Sequence, residues 1–236
     1  MIERKAIVFL CVLLSACGSD NEKQSEYFEY EFIDSNVGFE FGTTNHDVTH
    51  ELNNTIKSNL AKLPSPYEYR EGVLFEWDNY SSSIQGFMKT KIKGLHPNKK
   101  FSAEFNVDVL TSASLNCVGV GGVPGFSEKV KAGFFNIEPK KIIYTKHING
   151  VDVSHYEINI ENSLVEGSTA DLGHLGLDVE CKDERPWELK SLSNDELYTF
   201  KSDENGEAWL YIEIKSGFAG FSSYYVLSAE AMITQL

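Results

Sequence analysis

Cysteine, proline, positive charge and long apolar runs are all scarce in this 236-residue chain. Four cysteines and six prolines are too few for a cysteine-knotted miniature fold or a proline-rich spacer. The 21 Lys and Arg stand against 35 Asp and Glu, a net charge of −14. So acidic a chain is a poor partner for nucleic acid, and it does not adhere to anionic lipid by charge. No segment approaches the roughly 20 apolar residues that span a bilayer as a helix. There is no Gly-x-Ser-x-Gly elbow, no Ser-x-x-Lys and no Cys-x-x-Cys, which leaves no serine-nucleophile or zinc-ribbon motif. No catalytic residue and no metal ligand is nominated, because carboxylates are abundant without any pattern that singles out a pair.

What is present starts at the N-terminus. Arg4 and Lys5 precede the apolar stretch from Ala6 to Leu14, which has the length of a signal h-region. Leu14-Ser15-Ala16-Cys17 resembles a bacterial lipobox. The resemblance implies cleavage before Cys17 and acylation of that cysteine, and two or more acyl chains anchor a protein stably. Gly18 follows where an aspartate would favour the inner membrane, so the expected address is the outer membrane. Residues 1–16 are read as signal peptide, 17–26 as lipidated cysteine and polar tether, and 27–236 as one folded domain. With Cys11 removed and Cys17 lipidated, Cys117 and Cys181 remain. A disulfide between them is the plain reading in an oxidising compartment, and two buried free thiols are the alternative.

Period-two alternation dominates the rest and predicts strands. Phe28, Tyr30 and Phe32 alternate with Glu29 and Glu31. Val73, Phe75 and Trp77 form a second set. Phe101, Ala103, Phe105, Val107 and Val109 alternate with Ser102, Glu104, Asn106 and Asp108. Tyr156, Ile158 and Ile160 form a fourth set, and Leu210, Ile212 and Ile214 a fifth. A last strand is expected from Tyr224 to Ile233. Asn149-Gly150 and Asn205-Gly206 are hairpin signals of the type I′ kind. The stretch from Leu52 to Leu63 is left unassigned. No long amphipathic helix and no fixed-period repeat appears. The reading is all-β: a single antiparallel β-sandwich, jelly-roll-like, with long loops.

Three local patterns invite chemistry and are read structurally. His46 and His50 stand four apart, but without the zincin glutamate they are read as exposed loop histidines. The glycines of Val118–Gly125 match no phosphate-cradling spacing and are read as supplying positive φ or close approach. Asp203–Glu207 lacks calcium-loop spacing and is read as a turn. No cofactor is nominated; calcium held by ligands distant in sequence is compatible with a jelly roll. Most aromatic residues are expected in the core. Tyr80, Phe218 and Phe221, in loop-like stretches, are the expected ligand contacts.

Several segments together resemble a family of uncharacterised bacterial secreted proteins and lipoproteins. They are Lys93–Asn98, Val118–Ser127, Val130–Gly133, Glu138-Pro139, Gly206–Leu210 and Ser216–Gly220. The resemblance implies a β-rich exported domain and no particular activity. The family's Asn-, His- and Asp-rich stretch corresponds here to Asp78–Ser83, where the acidic pair is missing, and no acidic residue stands near Ala219. The leading functional expectation is a non-catalytic binding module, anchored by lipid on Cys17, for carbohydrate or another surface ligand. A structural partner of another envelope protein and a lipid-anchored hydrolase are the alternatives.

Overall fold

The computed structural model describes residues 23–33, 38–49, 55–79, 83–148, 150–160 and 167–236. Alternation builds its first layer. From β7 (Lys100–Thr111), Phe101, Ala103, Phe105, Val107 and Val109 are all buried on one face. β15 (Gly220–Gln235) runs antiparallel beside it and turns Tyr224, Val226, Ala229, Ala231 and Ile233 to the same face. An irregularity between Val226 and Ser228 shifts the register between those two halves. β5 (Glu71–Asn79) and β4 (Ile56–Lys62) extend the sheet beyond β15. β1 (Ser25–Glu31) also joins β15. β12 (Glu188–Ser193) and β13 (Tyr198–Lys201) share the other edge of β7.

The second layer has five strands in the order β11 (Gly167–His174), β8 (Glu128–Phe135), β14 (Ala208–Ser216), β6 (Gln85–Ile92) and β2 (Glu40–Thr44). Val130, Ala132, Phe134, Leu210, Ile212 and Ile214 meet the inner face of the first layer in one core. Each large apolar side chain buried there contributes about 1.5–3 kcal/mol. A third sheet, β3 (His46–Asp47), β10 (Val151–Ile158) and β9 (Lys141–Ile148), lies outside the second. Its Ile158 packs on Phe87, Phe135 and Tyr211. Among the described residues every pairing between these strands is antiparallel; one isolated bridge, Ser114 to Leu177, is parallel. The chain is an all-β antiparallel sandwich, as its alternation predicts.

Four local expectations change. Ser25 and Glu26, expected in the tether, pair with Thr234 and Ile233. Gln24 donates from Nε2 to the Gly94 carbonyl at 2.7 Å, so the domain begins before residue 27. The unassigned stretch yields β4 from Ile56. His46 is buried rather than exposed: it sits in β3, 3.1 Å from Thr43 Oγ1 and edge-on to Tyr156. His50 lies outside the described residues.

The Asn205-Gly206 turn is no hairpin, because it carries the chain from β13 in one layer to β14 in the other. Gly206 has φ +71° while Asn205 does not enter the left-handed region, so the turn is not type I′. Asp203 organises it instead, its Oδ1 accepting the Asn205 and Glu207 amides at 2.9 and 2.7 Å. A Cβ on Gly206 would lie 1.9 Å from the Leu95 carbonyl oxygen. Asn149 lies outside the described residues; Ile148 stands opposite Val151, so β9 and β10 form a hairpin, and Gly150 has φ +83°.

Candidate functional site

The outer face of the larger sheet carries a groove assembled by strand register. Tyr27 stands opposite Met232, and Met232 opposite Glu104. One step along, Glu29 stands opposite Glu230, and Glu230 opposite Asn106. These residues alternate with the core positions of β1, β15 and β7, so the rule that buries Phe105 turns Glu104 and Asn106 outward. Two carboxylates directly across a ladder repel each other, and Glu29 and Glu230 are placed that way.

One wall comes from the interruption between β12 and β13. β12 leaves β7 after Ser193, and β13 rejoins it at Tyr198. Asn194 bridges the gap as a strand backbone would. The Phe105 amide donates to its Oδ1 at 2.7 Å, and its Nδ2 donates to the carbonyls of Ala103 and Glu196. Asp195, Glu196 and Leu197 are thereby held out beside the sheet. The enclosed groove is about 630 Å³ and is lined by Tyr27, Glu104, Asn106, Glu230 and Met232 as well as that wall. Tyr27 is 54% exposed. Partial burial first, and then the charges of Glu230 and Glu29, hold its phenol above its usual pKa. A second depression, about 700 Å³, lies behind the same wall against β11.

The expected ligand aromatics are placed elsewhere. Phe218 is half-buried; a Cβ on Gly119 would lie 2.4 Å from its ring. Phe221 is 63% exposed on β15. Tyr80 and Cys17 lie outside the described residues. Cys117 and Cys181 are joined, with Cα atoms 5.0 Å apart. The disulfide, the glycine-rich loop and the Ser216–Gly220 turn converge at one end of the sandwich, where the Ala219 amide donates to the Val120 carbonyl at 2.9 Å. Gly121 and Gly122 take positive φ, as the loop requires. Beyond them the chain makes one helical turn, α1 (Pro124–Ser127).

Beneath that end lies a group the sequence does not advertise. Glu128 opens β8 on the inner face and is 3% exposed. Burial pushes its carboxyl up to about 7, against the opposing pull of the Ser222 hydroxyl and the Arg185 guanidinium. Ser222 Oγ is near enough to exert that pull but makes no hydrogen bond of normal geometry. Trp77 Nε1 and the Tyr224 hydroxyl are likewise buried without a hydrogen-bond partner among the described residues. Tyr224 is raised well above its usual pKa, by burial and then by Glu128. Arg185 spans the loops above, donating to the carbonyls of Ser112 and Lys182, both at 2.8 Å. Its Nη1 stands 3.6 Å from Cys117 Sγ.

Among the described residues, no group of three or more His, Cys, Asp and Glu could hold a metal ion. No described helix is long and apolar enough to cross a membrane. A disulfide across 64 residues fits an oxidising, extracytoplasmic compartment.

Fold and surface thus define an antiparallel β-sandwich with a polar groove across one sheet and a disulfide-tied end. No family model matches the chain, and no curated protein matches it by sequence. Among solved structures it is similar to the CBM22-1 xylan-binding domain from Paenibacillus barcinonensis, at 11% identity over 91% of this chain and 97% of that one, with a TM-score of 0.35. It is also similar to the family 11 carbohydrate-binding module of a Clostridium thermocellum cellulosomal cellulase, at 7% identity over 87% and 94%, TM-score 0.36. It spans 19% of the enzymatically active domain of tailspike protein 4 of bacteriophage CBA120, which covers 81% of this chain at 7% identity and TM-score 0.34. All three TM-scores lie below 0.5, and none bears on what this chain binds.

Proposed function

We propose that the chain is a non-catalytic binding module of the cell envelope, anchored by lipid on Cys17, whose groove over β1, β15 and β7 takes a carbohydrate. One observation carries the reading: an exposed tyrosine ring stands in a groove beside carboxylates and amides that β-sheet register holds in place. A π face suits the C–H face of a sugar ring. Glu104, Glu230 and Asn106 offer acceptors and an amide to its hydroxyls, the mixture that orients a ligand in a largely preformed site. Glu128, whose burial pushes its carboxyl up to about 7, is sealed inside the sandwich and out of reach of a polymer.

The test is a polysaccharide and oligosaccharide panel applied to the chain from Gly18 onward, with calcium and with chelator. Selective binding is expected, and Tyr27→Ala should weaken it at least ten-fold through loss of a stacked ring. Binding that survives Tyr27→Ala and Glu230→Gln together would place the ligand elsewhere, with exposed Phe221 the next position to change. Silence across the panel would overturn the carbohydrate reading. The anchor is tested separately: Cys17→Ser should leave an unprocessed precursor without acyl chains. Normal acylation and membrane fractionation of that variant would refute the lipid anchor.

A further inference from the structure

Among the described residues, the third sheet leaves one long edge unpaired. β9 reads Lys-Ile-Ile-Tyr-Thr-Lys-His-Ile, rich in β-branched residues that favour strands, and it pairs only with β10 among the described residues. The direction of its backbone groups follows from register. Tyr156 accepts the Asn45 amide on its carbonyl at 2.8 Å, toward β3. Ile143, its opposite number, therefore turns its own N–H and C=O away from β10, and by alternation so do Lys141, Thr145 and His147.

Natural edges are blunted by proline, bulges or outward lysines. β9 contains no proline, and its ladder with β10 runs without a register shift. Its lysines are turned onto the ribbon itself: Lys146 lies 2.9 Å from Glu157, and Lys141 lies over the Tyr156 ring at 3.8 Å. Ile143 is 62% exposed and Tyr144 49%.

We propose that β9 pairs antiparallel with β9 of a second copy, two-fold about Ile143, joining two ribbons into one continuous sheet. Charge selects this occupant. Two chains of net −14 repel wherever acidic faces meet, but the ribbon balances its own charge. Lys146 is paired with Glu157 and His147 with Asp152. The Ile143 register sets Ile143 against its own copy, Ile142 against Tyr144 and Lys141 against Thr145; the next pair outward sets Lys146 against Lys140, each already paired with a carboxylate, Glu157 and Glu138. Such an interface is isologous and closes at two copies.

Sedimentation of the purified chain over a concentration series tests it, with amide exchange read at Ile143 and Thr145. The expected result is a monomer–dimer equilibrium in which those two amides gain protection as concentration rises. Ile143→Pro removes an outward donor without touching a β10 bond, and Ile143→Lys places like charges on the axis; each should halve the apparent mass. Because the second variant keeps every backbone donor, a misfolded proline variant would not leave the matter undecided. A chain that stays monomeric at every concentration, or a dimer that survives Ile143→Lys, would overturn the proposal.

Discussion

Glu128→Gln is expected to stabilise the protein at about pH 8 and to change little at about pH 5. The sign follows from burial. The carboxyl titrates near 7 in the folded chain and near its ordinary 4.5 when exposed. The folded state therefore holds the proton more tightly. That contribution is fully present below about 4.5 and is lost as pH rises through about 7. Above that point the fold carries a charged carboxylate between two apolar layers, near the Tyr224 hydroxyl, which has no hydrogen-bond partner among the described residues. A difference of that size is worth about 3 kcal/mol, or roughly 6–12 °C in Tm for a domain of this length. Glutamine keeps the shape and removes the charge. Repulsion across the acidic surface weakens both proteins alike as pH rises, so the difference between their Tm–pH curves isolates Glu128. Parallel curves would show that Glu128 does not titrate as its burial implies.

Reducing the Cys117–Cys181 bond is expected to cost roughly 4 kcal/mol, the loop-closure value for a separation of this length. The separation is 64 residues, and the loop so closed includes β8, β9 and β10. Cys117→Ser with Cys181→Ser should give the same loss, read as a lower denaturant midpoint at unchanged slope. The two predictions are linked through Arg185, which bridges the Ser112 and Lys182 carbonyls and whose charge acts on Glu128. Releasing the disulfide loosens that bridge and admits water to the carboxyl. The pH dependence that distinguishes Glu128→Gln should therefore shrink in reduced protein. An unchanged denaturant midpoint on reduction would show that the hydrogen bonds of this end hold it without the sulfur bridge.

The strands were legible because one face of each is apolar. Phe101 to Val109 is the clearest case, and each inward residue it names is buried. Alternation misleads where both faces are covered. Tyr211 belongs to the outward set of β14, yet it is fully buried because the β9–β10 ribbon lies over it. Asn205-Gly206 misleads for a different reason: a turn signal says that the chain reverses and is silent on which layer it enters. Glu128 sits in Phe-Ser-Glu-Lys-Val, and nothing in those neighbours marks a buried carboxylate. The groove is equally non-local. Tyr27, Glu104, Asn194 and Glu230 meet only through strand order, which a period of two does not encode. Their one trace in the sequence is that the outward positions of these strands are rich in carboxylates and amides.

β15 has a further consequence. It is the strand against which β1, β5 and β7 all pair, and it follows every other strand among the described residues. A polypeptide made from its N-terminus must keep those three strands waiting, with their ladder bonds to β15 unmade, until residues 220–235 emerge. The larger sheet therefore closes in one late step.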